Sequence, residues 1–153
     1  MSNMKIFLAS DHAGFELKKV LYDELSKSGF DVIDKGPLAY NPDDDYPNYI
    51  EDAAEEVSKD TACKGIIIGG SGQGEAIVAN RFPHVRAVVF YGGDSEIIKL
   101  SREHNDANVL SLGSRFVTND EALSAVKLWL NTPFSNEERH VRRIKEIDEI
   151  IIK

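Results

Sequence analysis

Short apolar runs alternate with amphipathic stretches from one end of the chain to the other. Met4–Ala9 (MKIFLA) reads as a buried strand. Phe15–Ser28 then places Phe15, Leu17, Val20, Leu21 and Leu25 close to helical spacing, and Gly29 stops that helix. Phe30–Asp34 (FDVID) reads as a second strand, and Gly36–Asp45, with two prolines and three consecutive acids, as a loop. Tyr49–Ser58 returns to a helical pattern. Lys64–Ile68 (KGIII) is apolar and β-branched, which marks a third strand. The run GGSGQG follows it and leads into a helix over Glu75–Asn80. Arg86–Phe90 predicts strand four, Ser95–Glu103 a helix, and Ala107–Leu112 strand five. Asp120–Leu130 predicts a helix with Asn119 as its N-cap. Glu137–Ile152 predicts a long charged terminal helix with Val141, Ile144, Ile147 and Ile151 on one face.

A strand followed by a helix, five times over with one helix added, implies a parallel sheet with helices on both faces. In such sheets ligands bind beyond the carboxyl ends of the strands. The chemistry-bearing residues should therefore follow strands, and several do. Strand one ends in Ser10-Asp11-His12-Ala13-Gly14, strand three in Gly69-Gly70-Ser71-Gly72-Gln73-Gly74-Glu75, and strand five in Gly113-Ser114-Arg115. All three ends should meet at one edge of the sheet.

At 153 residues the chain is one domain of ordinary size, 1–153, with no linker or internal repeat. Its 42% hydrophobic and 29% charged content is that of a folded globular protein. The net charge of -8 argues against nucleic acid and requires any phosphate site to be a local cluster of Arg and His. One cysteine, Cys63, excludes a disulfide within the chain and points to a reducing, cytoplasmic compartment. No apolar run approaches the roughly 18 residues of a membrane span. Four histidines, none at HxxxH-type spacing, give no metal site.

The glycine-rich loop lets the backbone turn tightly and offers bare N–H groups to an anion. It has neither the Lys-Ser/Thr of a phosphate-binding P-loop nor the position of a dinucleotide fingerprint. It reads either as a tight strand-to-helix turn or as a cradle for an anion or developing oxyanion. Glu75 reads either as a carboxylate on a helix N-terminus or as a general base aimed into a pocket. Asp11 suits an N-cap, leaving His12 free to face the pocket. His104, at a helix C-terminus, is placed for the dipole or for proton shuttling. Arg139 and Arg143 are i,i+4 and share a face, which suits either a phosphate or a solvated charged surface paired with Glu137, Glu138 and Glu146.

Taken together, SDHAGFELK, VIDKG, DYPNY, GGSGQGEAIVANR, SREHNDANVLSLGSR and ERHVRRI resemble, in order and over nearly the whole chain, the type B ribose-5-phosphate isomerases and their galactose-6-phosphate isomerase relatives. The resemblance implies a Rossmann-like three-layer α/β/α sandwich with a mainly parallel five-stranded sheet. It implies aldose–ketose isomerisation of ribose 5-phosphate and ribulose 5-phosphate through an enediolate, without cofactor or metal. It also implies a homodimer with active sites shared between chains, with pairing of dimers into tetramers left open. One branch of the family carries a cysteine base where this chain has Gly69. The other uses a glutamate directly after the glycine loop, where Glu75 stands, so Cys63 is expected to be chemically idle. By the same resemblance, the N–H groups of Gly70, Ser71, Gly72, Gln73 and Gly74 stabilise the enediolate, and Ser71 orients Glu75 or a hydroxyl. His104 opens the sugar ring while Asp11 holds the ring hydroxyl. His12, Arg115, Arg139 and Arg143 hold the phosphate, and Tyr46 and Asn105 contact sugar hydroxyls. A six-carbon sugar phosphate (galactose or allose 6-phosphate) is the alternative substrate, and a non-catalytic phosphosugar-binding module the alternative role. Base, acid and arginines all lie in this one chain, which favours a self-sufficient homodimer.

Overall fold

The structure is a computed structural model and describes residues 4–150. The elements are β1 (Lys5–Ser10), α1 (Phe15–Lys27), β2 (Asp31–Asp34), α2 (Pro47–Lys59), β3 (Lys64–Gly69) and α3 (Gln73–Ala79). They continue with β4 (Ala87–Phe90), α4 (Glu96–Glu103), β5 (Val109–Gly113), α5 (Asn119–Asn131) and α6 (Glu138–Ile150). All five strands run parallel in the order β2-β1-β3-β5-β4, with β5 inserted between β3 and β4.

Both faces of the sheet are covered, which explains why its strands read as continuous apolar runs. On one face Ile6, Leu8, Ile66, Ile68, Leu110 and Leu112 pack beneath α1, α4 and α5, with Leu21, Ile98, Val126 and Trp129 fully covered. The alternate residues Phe7, Ala9, Ile67 and Val109 face Ile50, Ala53 and Val57 of α2 and Ala79 of α3. β1 thus leads to a helix on one face and its neighbour β3 to a helix on the other. The crevice between their carboxyl ends is where such a sheet takes a ligand.

Element boundaries differ from expectation by one or two residues, and local chemistry accounts for several. α2 begins at Pro47, whose fixed φ suits the first helical turn. β5 begins at Val109 because Asn108 turns its side chain to the neighbouring loop, accepting from the Arg86 N–H and donating to the His84 carbonyl. Asn119 is the first residue of α5 and not its cap. Thr118 caps it, in a reciprocal pair with Glu121. Asp11 does not cap α1. Gly14 precedes the helix, and the Asp11 carboxylate accepts the Gly14 N–H at 2.9 Å to close the intervening turn. In α6 only His140 is buried, while Val141 and Ile147 are exposed. The part of that helix expected at Ile151 and Ile152 lies outside the described residues.

Candidate active site

Parallel pairing brings Ser10, Ile68, Gly69 and Gly113 to one edge of the sheet. Beyond that edge the loops are tied to one another. The Asp11 N–H donates to the Ile68 carbonyl, and the Ser114 and Arg115 N–H groups donate to the Gly69 and Gly70 carbonyls. The Ser114 hydroxyl reaches across to the Ala13 carbonyl at 3.0 Å. The loops after β1, β3 and β5 therefore form one rigid rim.

The glycine loop supports its own turn. Gly72 adopts φ +77° at the start of α3, a conformation most side chains avoid, and the buried Ser111 hydroxyl grips its carbonyl at 2.6 Å. The Ser71 hydroxyl accepts the Gln73 N–H. The Arg115 guanidinium lies over Gly70 and the Tyr46 hydroxyl against Gly74. Gly69 is required for a different reason. A β-carbon there would collide with the Glu75 carboxylate, so that carboxylate fills the space a side chain at position 69 would take. A side chain at position 69 and the Glu75 carboxylate would therefore compete for one volume.

Glu75 is only 4% exposed. Burial raises its carboxyl above the ordinary pKa, its own backbone N–H pulls the other way, and the charges of Asp11 and Asp44 add smaller upward contributions. A buried carboxylate of raised basicity in a crevice is what proton abstraction requires.

His12 completes this group, with its Nδ1 3.0 Å from Asp44 Oδ1 and Tyr40 edge-on to its ring. Asp44 and Tyr46 both belong to the segment that follows β2. The start of that segment is fixed by Lys18 of α1, whose Nζ donates to Asp34 Oδ1 at 2.7 Å and to the Pro37 carbonyl at 2.5 Å. Asp34 Oδ1 also accepts the Gly36 N–H.

The remaining expected residues lie elsewhere. His104 is the C-cap of α4, and its ring stacks on that of His140 of α6, centroids 4.3 Å apart. Burial, and after it the neighbouring His104 and Arg139, lower the pKa of His140, against a smaller pull from Glu137. Arg139 is exposed, with Glu137 3.7 Å away, and Arg143 is exposed beside it. The Asn105 carbonyl accepts from Arg86, which directly precedes β4 and pairs with Asp148 of α6. This second group therefore sits at the amino edge of the sheet. A six-residue strand such as β3 separates the two edges by roughly 16 Å. One chain carries base, acid and arginines, as expected, but on two opposite edges of its sheet. Asp11, His12, Tyr46, Gly70–Gly74, Glu75 and Arg115 come together, while His104, Asn105, Arg139 and Arg143 form a separate cluster. Two members of these groups escaped the sequence reading. Asp44 was one of three adjacent acids, and His140 lay in a charge run.

Cys63 directly precedes β3, at the edge remote from Glu75, where burial and Asp60 raise its thiol pKa. Among the described residues no group of three His, Cys, Asp or Glu side chains is placed to hold a metal ion. No described helix is long and apolar enough to cross a membrane.

Comparison with known proteins agrees with this architecture. The chain is 41% identical over 149 residues to ribose-5-phosphate isomerase B of Mycobacterium tuberculosis, covering 97% of this chain and 91% of that protein. It is 39% identical over 146 residues to that of Escherichia coli, covering 95% of each. The structure of ribose-5-phosphate isomerase B from Mycoplasma genitalium with bound ribulose-5-phosphate superposes with a TM-score of 0.94 at 36% identity, over 100% of this chain and 99% of that one. The Clostridium thermocellum enzyme gives 0.88 at 44% identity, over 96% of this chain and 97% of that one. The ribose/galactose isomerase family model matches residues 6–147, so this chain belongs to that family.

Proposed function

We propose that the chain is an aldose–ketose isomerase that interconverts ribose 5-phosphate and ribulose 5-phosphate in the cytoplasm, as a single domain and without cofactor. The observation that carries this is the buried Glu75 carboxylate, held at the mouth of the glycine loop with its pKa raised. Once the sugar ring is open, Glu75 takes the proton from C2 and the electron pair moves onto the aldehyde oxygen. The hydroxyl proton on O2 is exchanged to O1, and Glu75 returns its proton to C1 to give the ketose. Negative charge develops on oxygen in between, and the N–H groups of Gly70, Ser71, Gly72, Gln73 and Gly74 offset it; one such donor contributes about 3 kcal/mol in comparable sites. Ser71 orients Glu75 or a substrate hydroxyl. Asp11 holds the ring hydroxyl while His104 donates the proton that opens the ring. Tyr46 and Asn105 contact hydroxyls, and His12, Arg115, Arg139 and Arg143 hold the phosphate.

His104, Asn105, Arg139 and Arg143 lie at the far edge of the sheet from Glu75, so a complete site needs them from a second copy. The reading is therefore a homodimer with two equivalent composite sites. A coupled assay on five- and six-carbon sugar phosphates tests the reaction. Turnover of ribose 5-phosphate well above that of galactose and allose 6-phosphates is expected. A preference for a six-carbon substrate would replace the substrate, and tight binding with no turnover on any of them would overturn the enzymatic reading.

A further inference from the structure

The acidic run Asp43–Asp45 is not a uniform solvated surface. Asp43 and Asp45 are exposed, whereas the side chain of Asp44 is only 2% exposed. A carboxylate leaves water at a cost unless something compensates it. Its Oδ1 lies 3.0 Å from His12 Nδ1, and its Oδ2 is buried with no hydrogen-bond partner among the described residues. Few arrangements keep a half-satisfied buried carboxylate unless the site uses it. The loop carrying it is anchored at its root by the buried Lys18, so this placement is built into the fold.

We propose that Asp44 is a positioning residue of the site: it accepts the Nδ1 proton of His12, fixes the ring orientation, and so presents the Nε2–H of the protonated ring to the substrate phosphate. The arrangement follows the general rule that the hydrogen bond made by one imidazole nitrogen decides what the other can do. It rests on the reading of His12 as a phosphate contact in an isomerase. The same carboxylate is one of the two whose charge bears on Glu75, so a single side chain reaches both the phosphate contact and the base.

Two measurements test this. Nitrogen-15 spectra of the imidazoles in the protein saturated with inorganic phosphate should show protons on both nitrogens of the His12 ring. In Asp44→Ala under the same conditions the Nδ1 proton should be lost, leaving a neutral ring protonated at Nε2 alone. This readout needs no turnover, so it stands apart from any failure of the isomerase assay. In kinetics, Asp44→Ala should raise KM and the inhibition constant of inorganic phosphate about tenfold, the scale of one hydrogen bond to a charged group, with a smaller fall in kcat. The same substitution made in a His12→Ala background should add little, because the effect passes through His12. Asp44→Asn keeps the side chain's size but not its charge if the alanine variant folds poorly, and should show a loss of phosphate affinity in the same direction, smaller because its amide oxygen can still accept from Nδ1. An unchanged His12 protonation pattern in a folded Asp44 variant with phosphate bound, or full additivity of the two substitutions, overturns the proposal.

Discussion

The proposed role of Glu75 as base concentrates the chemistry in one side chain, and its environment makes two expectations that pull in opposite directions. Replacing it with glutamine removes basicity while keeping size, so turnover should fall about 100-fold or more. Stability should not fall with it. A carboxyl whose folded pKa is raised contributes stability while it is protonated, and loses that contribution as pH rises through the folded value. At neutral pH the ionised form is therefore a burden on the fold, and the thermal midpoint of Glu75→Gln should equal or exceed that of the wild type. Because the proposed mechanism uses the carboxylate form, the acid limb of kcat/KM should lie above the usual carboxylate range. A clear loss of thermal stability, or a limb at an ordinary value, would contradict the buried placement. Glu75 was legible in the sequence because it follows a glycine run at a strand end. Asp44 was not, because three adjacent acids look alike until the fold turns one of them inward.

Lys18 shows how much one element can owe to a charge inside it. It lies on the buried stripe of α1 with Leu21 and Leu25, spaced at three and four residues, and is only 1% exposed. Removing one partner of a buried pair strands the other. Asp34 keeps some contact with solvent, so Lys18→Ala should cost about 2–3 kcal/mol by denaturant unfolding, near the lower end of such losses. The loop bearing Asp44 and Tyr46 should loosen with it, which protease cleavage within residues 36–45 would detect. The helical spacing that places Lys18 on the apolar stripe was available in the sequence, and reading only apolar residues passed over it. The cap of α5 was legible in the same sense, since Thr118 and Glu121 have the spacing of a capping box. Asn119 is also a good capping residue, and propensity alone does not choose between neighbours.

The succession of strands and helices, and hence the class of fold, followed from periodicity over the whole chain. The insertion of β5 between β3 and β4 did not, since pairing across a sheet leaves no mark in local pattern. The division of the candidate site was implicit in the topology. In a parallel sheet every helix ends at the amino edge, so His104 at the end of α4 had to lie away from Glu75. The composite-site reading makes a quantitative prediction. Glu75→Gln and Arg139→Ala/Arg143→Ala should each be nearly inactive at low substrate. Mixed after dissociation and reassociated at equal amounts, they should recover roughly a quarter of wild-type activity, because half the dimers are mixed and each carries one intact site. No recovery, with mixed dimers verified by mass, would return both clusters to separate roles. The two-edged arrangement also has a genetic consequence. Two alleles, each damaged in a different cluster, would complement when expressed in one cell, whereas two alleles damaged in the same cluster would not. The complementation map of this gene would thus divide its loss-of-function alleles into two classes, following the two edges of the sheet and not the order of codons.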